Sequence, residues 1–173
     1  MIKKSKFYSK YKITDAKPLG LERHYIQVSN FSSTLIDFLS KEFTGLFEVD
    51  YEPIWETNAT IKISEGHVAY FLKTLMATVF GRETLKLKML LEDEVFNLSI
   101  EAESNLPMTN EEMINLVKLI HSTGFSHEIT DNRILLYSAV RRAMKKTLHS
   151  LSTDLFRQRL VEIFFTGGPP VEL

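Results

Sequence analysis

The sequence predicts an α+β fold: a two-layer α/β sandwich in which a mixed, mostly antiparallel sheet carries its helices on one face. Three observations support this expectation. Val68, Phe71, Leu72, Leu75, Met76 and Val79 recur at helical spacing and make one apolar stripe. Leu85, Leu87 and Met89 alternate with Lys86 and Lys88, and Phe96, Leu98, Ile100 and Ala102 alternate with Asn97, Ser99 and Glu101, so a hairpin with one polar face follows. Helical and extended patterns also take turns along the chain, which gives the apolar sheet face helices to cover it.

Residues 1–22 show no sustained period and contain Pro18 and Gly20, so they read as a lead-in to a single domain over 23–173. Tyr25 to Val28 is extended. Asn30 is placed to cap a helix whose members Phe31, Leu35, Phe38 and Leu39 share a face, ending near Gly45. Phe47, Val49 and Tyr51, then Ala59, Ile61 and Ile63, mark two strands around Pro53. Ser64 caps the amphipathic helix, and Gly81 supplies its stop. Thr109 and Glu112 form a capping box ahead of Met113, Leu116, Val117 and Ile120, with Gly124 as the C-terminal cap. Asp131 is read as the cap of a long helix bearing Leu135, Leu136, Ala139, Val140, Ala143 and Met144. Leu160 to Phe165 reads as a last strand before Gly167 and Gly168.

Composition narrows the function. Twenty-one basic and 22 acidic residues give a formal charge of -1, so no global field attracts nucleic acid or anionic lipid. No uncharged apolar stretch approaches the roughly 20 residues that cross a bilayer. The start lacks the apolar core of a secretory signal, and a cytoplasmic location is expected. The chain has no cysteine, which rules out disulfides, thiolate zinc sites and a cysteine nucleophile.

The register around the strongest helix resembles a known family. Phe71-Leu72-Lys73-Thr74-Leu75-Met76-Ala77-Thr78-Val79 is similar to the N box of the histidine-kinase-like (Bergerat, or GHKL) ATPases, where polar residues four apart hold Mg²⁺ and position a water. Thr74 and Thr78 stand at those places, and a threonine hydroxyl makes a poor magnesium ligand. Ile100 to Pro107 resembles the strand and turn that carry Asp-x-Gly-x-Gly, with Ser104, Leu106 and Met108 at the matching positions and Asn105 between them. The glycine motif that cradles phosphate at a helix N-terminus is matched to Ile134-Leu135-Leu136-Tyr137, where Leu136 is too bulky for that task. The resemblance therefore implies the scaffold without the chemistry: a pseudo-ATPase with no catalytic residues, no cofactor and no metal. Thr74, Thr78, Ser104, Asn105, Leu106, Met108 and Leu136 are then vestigial pocket positions.

The expected role is regulation or signalling through contact with another protein, a second copy of the chain included. An alternative is a divergent phosphotransferase that still binds ATP and Mg²⁺ through Thr78, Ser104 and Asn105. A third reading is an RNA- or membrane-surface module built on the lysine-rich start and on Arg141, Arg142, Lys145 and Lys146. These four cations are expected near the C-terminal end of a helix, where the dipole favours them. With Trp55, the lone tryptophan, they form the candidate interaction surface. Phe125-Ser126-His127-Glu128-Ile129 resembles a sensor-kinase phosphoacceptor box, but it follows the N-box-like helix instead of preceding it, so His127 is expected in a loop. The remaining histidines lack metal-ligand spacing. The pairs Glu92 with Glu94 and Glu101 with Glu103 read as a turn and an exposed strand edge.

Overall fold

A computed structural model describes residues 22–43, 45–56, 58–79, 84–142 and 153–165. Its elements are β1 (His24–Gln27), α1 (Val28–Glu42), β2 (Phe47–Tyr51), β3 (Ala59–Ile63), α2 (Glu65–Val79), β4 (Leu85–Glu92), β5 (Val95–Glu101), α3 (Asn110–Thr123), β6 (Ser126–Ile129), β7 (Arg133–Ala139), β8 (Arg141–Arg142) and α4 (Thr153–Phe165). The main sheet has the order β2-β4-β5-β7-β6, and a smaller one has the order β1-β3-β8. β2 runs parallel to β4, and the other pairs in the main sheet are antiparallel. This is the mixed, mostly antiparallel two-layer architecture that the sequence predicts. Among the described residues no helix is long and apolar enough to cross a membrane.

The alternation of β4 and β5 produces the layer. Leu85, Leu87, Met89, Phe96, Leu98 and Ile100 are buried. Their neighbours face outward, where Lys86 stands opposite Glu101 and Glu101 opposite Arg133. Opposite charges directly across strands stabilise such a pairing. Asp93 and Glu94 close the hairpin at φ 53° and 60°, the positive values that a two-residue turn with the right twist requires. α2 buries the predicted stripe, and Ser64 Oγ accepts from the backbone N–H of His67 at 3.3 Å. Each fully buried Phe or Leu contributes about 1.5–3 kcal/mol.

Three expectations need correction. The described part of the predicted helix, up to residue 142, is extended: 133–139 are β7 and 141–142 are β8. Leu98 stands opposite Leu136 and Ile100 opposite Ile134, so the open edge of β5 recruits the segment, with Ile134 and Leu136 turned into the core. Leu160 to Phe165 is helical, not extended: Phe156, Leu160 and Ile163 are buried at offsets of four and three, a helical face. Finally, α1 begins at Val28 behind an extended Gln27 that makes no side-chain cap. Asn30 lies inside the helix, where its Nδ2 donates to the Gln27 side chain. The predicted stop at Gly81 lies outside the described residues.

α4 closes the core from the far end of the chain. Phe156 stacks on Phe31 with ring centroids 4.9 Å apart, and Phe31 meets Phe96 edge to face at 5.7 Å. Lys73 Nζ donates to the Ile163 carbonyl at 3.0 Å, and Arg157 pairs with Asp37 at 2.5 Å. The lysine binds a last-turn carbonyl of α4, where a cation is favoured.

A second polar tie joins β1 to α2. Glu65 is 1% exposed, and its carboxylate meets Nε2 of His24. The hydrogen bond to Glu65 raises the His24 pKa above the ordinary 6.5, although burial opposes the shift. A group whose folded pKa is raised stabilises most below its unfolded pKa and stops doing so as pH rises through the folded value. The advantage of the native chain over His24→Gln is therefore expected to be greatest below about pH 6.5 and to shrink above it. Denaturant midpoints of both proteins across pH check this. Burial and Arg23 shift His67 the other way, and comparing the two proteins cancels that contribution.

Candidate functional site

The vestigial positions fall on two elements and a linker. Thr74 and Thr78 are half-buried on α2, and Thr78 Oγ1 donates to the Thr74 carbonyl at 2.9 Å, so that hydroxyl is engaged by its own helix. Between β5 and α3 the linker is sewn to the β6–β7 turn: Ala102 N–H donates to Asn132 O, and Leu106 N–H to Asp131 O, both at 2.7 Å. Ser104 and Asn105 are exposed, Leu106 is buried, and Met108 packs half-buried against the core. Leu136 is fully buried in the middle of β7, opposite Leu98, and opens no helix.

The start of α3 is already occupied. Thr109 Oγ1 accepts from Glu112 N–H at 3.1 Å, and the Glu112 carboxylate accepts from Thr109 N–H at 2.9 Å. This is the predicted capping box, and it consumes donors that a helix N-terminus would otherwise present to an anion. Glu111 and Glu112 also put two carboxylates in the first turn, where they repel phosphate.

Of the expected cationic surface, Arg141 and Arg142 are described and exposed, and Arg142 is paired with carboxylates. Arg141 and Arg142 are on β8, not near a helix end, so the helix dipole does not account for them. Arg142 forks onto Glu94 at 2.6 and 3.1 Å, and its Nη1 reaches Glu56 and Asn58 at 3.0 Å. The two carboxylates hold its pKa well above the usual arginine range. Arg141 donates to the Tyr25 hydroxyl at 2.8 Å and lies over that ring. Lys145 and Lys146 lie outside the described residues. Trp55 is 83% exposed, on a segment tied down one residue later through Glu56.

A recess of about 410 Å³ has no counterpart in the sequence reading. Arg23, His121, Ser126, His127 and Tyr137 line it beside Gly124. His127 sits on edge strand β6, not in a loop, and its ring centroid lies 5.2 Å from that of His121. Arg23 Nη2 donates to the His121 carbonyl at 2.7 Å, across a gap in sequence that no local motif bridges. Among the described residues no three His, Asp or Glu side chains gather as a metal site. Another depression lies on the polar sheet face between Lys86, Lys88, Glu101 and Arg133.

These elements define an α+β domain with a helix-covered sheet, a capped α3 and a histidine-lined edge. No family profile matches the chain, and no curated protein sequence matches it. Among solved structures it overlaps with the histidine kinase AdeS of Acinetobacter baumannii at a TM-score of 0.41 and 11% identity, over 82% of this chain and 77% of that one. A superposition this loose carries neither activity nor site residues across.

Proposed function

We propose that residues 23–173 form a histidine-kinase-like domain without nucleotide chemistry, which works as a regulatory or signalling module through protein contact. The observation that supports this reading most is the start of α3. With strands at 133–139 and 141–142, α3 is the helix that follows the linker after β5, so the phosphate-cradling end of the resemblance falls at Thr109 and Asn110. That end has no glycine, spends its donors on a capping box and carries two glutamates. Thr78, bonded back to Thr74, offers magnesium a poor ligand. Trp55 gives the contact role its anchor, since a large exposed aromatic ring is the kind of side chain that dominates binding energy when a partner buries it.

Thermal melting with and without Mg-ATP or Mg-ADP tests the loss of chemistry. A nucleotide at about 100 times its Kd adds about 2.7 kcal/mol, and no such rise is expected. A clear rise that Thr78→Ala removes would favour a divergent phosphotransferase instead. A photo-crosslinking side chain at position 55 is expected to capture a protein partner in cells, and the same probe at Lys88 on the polar sheet face is the control.

A further inference from the structure

The recess at the end of α3 is used by neither the fold nor the reading above. Its described lining brings together the Arg23 guanidinium and the imidazoles of His121 and His127, and among the described residues no carboxylate lines it. Gly124 keeps it open: at φ 97° it ends α3, and a Cβ there would stand 2.9 Å from the Lys62 carbonyl and 3.4 Å from Arg23 Cδ. Arg23 is thereby laid flat across the glycine and fixed by the His121 carbonyl at 2.7 Å. That bond uses one of five guanidinium N–H groups, and the fork geometry suits an oxyanion.

Two imidazoles 5.2 Å apart also invite a metal reading, which fails here. The fixed positive charge of Arg23 repels a cation, and no third ligand converges among the described residues. The electronegative end of α3 amounts to only about half a charge, which the whole charge of the guanidinium outweighs. The donors also outnumber what the two oxygens of a carboxylate accept. A phosphoryl group brings three acceptor oxygens and close to two negative charges.

We propose that Arg23, His121 and His127 form a binding site for a phosphoryl group. The open edge position suits a phosphate carried on a larger molecule as well as free phosphate.

The test follows the imidazole C–H resonances of the full chain by NMR during titration with inorganic phosphate, against sodium chloride at matched ionic strength. His121 and His127 are expected to shift together and saturably, while His24 and His67 stay still. Arg23→Gln is expected to weaken the binding by about tenfold or more, as loss of a charge-assisted fork does. His127→Gln, which leaves the end of α3 intact, is a second variant expected to weaken it. Linear shifts matching the chloride control would overturn the proposal, and so would equal affinity for acetate or wild-type affinity in both variants. Phosphoserine in a parallel titration separates the sources: tighter binding than phosphate indicates a phosphorylated side chain, and weaker or equal binding indicates a free phosphate compound. Either result supports the site.

Discussion

Phe31→Ala is expected to lower the unfolding free energy by about 3–5 kcal/mol, the usual cost of emptying a buried aromatic site. Phe31 is fully buried and joins three parts of the chain: Phe96 on the sheet, Phe125 after α3, and Phe156 on α4. Truncation leaves a cavity whose walls belong to separate elements, so it cannot collapse by moving one of them. Total stabilities of natural domains are about 5–15 kcal/mol, and a loss of this size removes a large share. Urea denaturation followed by far-UV circular dichroism measures it. Ile114, 57% exposed on α3, is the control, and Ile114→Ala should stay within about 0.5 kcal/mol of the parent. A Phe31 variant that lost less than about 1 kcal/mol would contradict the packing described here.

Gly124→Ala is expected to cost roughly 2–4 kcal/mol, combining a left-handed backbone with an overpacked contact. Gly45 separates the two contributions. It also has a positive φ, 88°, but a Cβ there meets nothing within 4 Å. Gly45→Ala should therefore show only the backbone cost of about 1–2 kcal/mol. The excess at Gly124 measures the clash with the Lys62 carbonyl. Ser64 N–H, which donates to the Thr123 carbonyl at 2.8 Å, is the local reporter, and its hydrogen exchange should accelerate in Gly124→Ala and not in Gly45→Ala. Equal losses at the two glycines would refute the close approach.

The sequence disclosed those parts of the fold whose cause is local. The alternation of leucine with lysine along β4, the Thr109 capping box and the terminal Gly124 are physical requirements of neighbouring residues, and the structure meets each one. The misreadings lie where a distant partner decides. Leu135, Leu136, Ala139 and Val140 satisfy a helical spacing, yet Ile134 and Leu136 satisfy a two-residue alternation equally well, and the edge of β5 settles the competition. Leu160 to Phe165 reads as a strand by itself, while Phe156, Leu160 and Ile163 carry the helical face that α4 buries.

The sites divide in the same way. That Thr74 and Thr78 share a helix face was legible, because four residues make about one turn. That Thr78 turns its hydroxyl back onto the Thr74 carbonyl was not, since a threonine in a helix can also point its hydroxyl outward. The charges of Arg141 and Arg142 were plain in the sequence. The neutralisation of Arg142 depends on Glu56 and Glu94, which strand pairing brings from two other connections. Arg23 and His121 meet across 98 positions of sequence, a separation that no local pattern reveals.

The stacking of Phe156 on Phe31 has a consequence for how the chain is made. A protein emerging from the ribosome presents its first helix long before its last, and ordered packing has to wait for the missing piece. The greasy side of residues 28–42 stays uncovered by its final partner until translation has passed position 163. Over that interval a nascent chain is open to wrong associations that the finished molecule no longer permits.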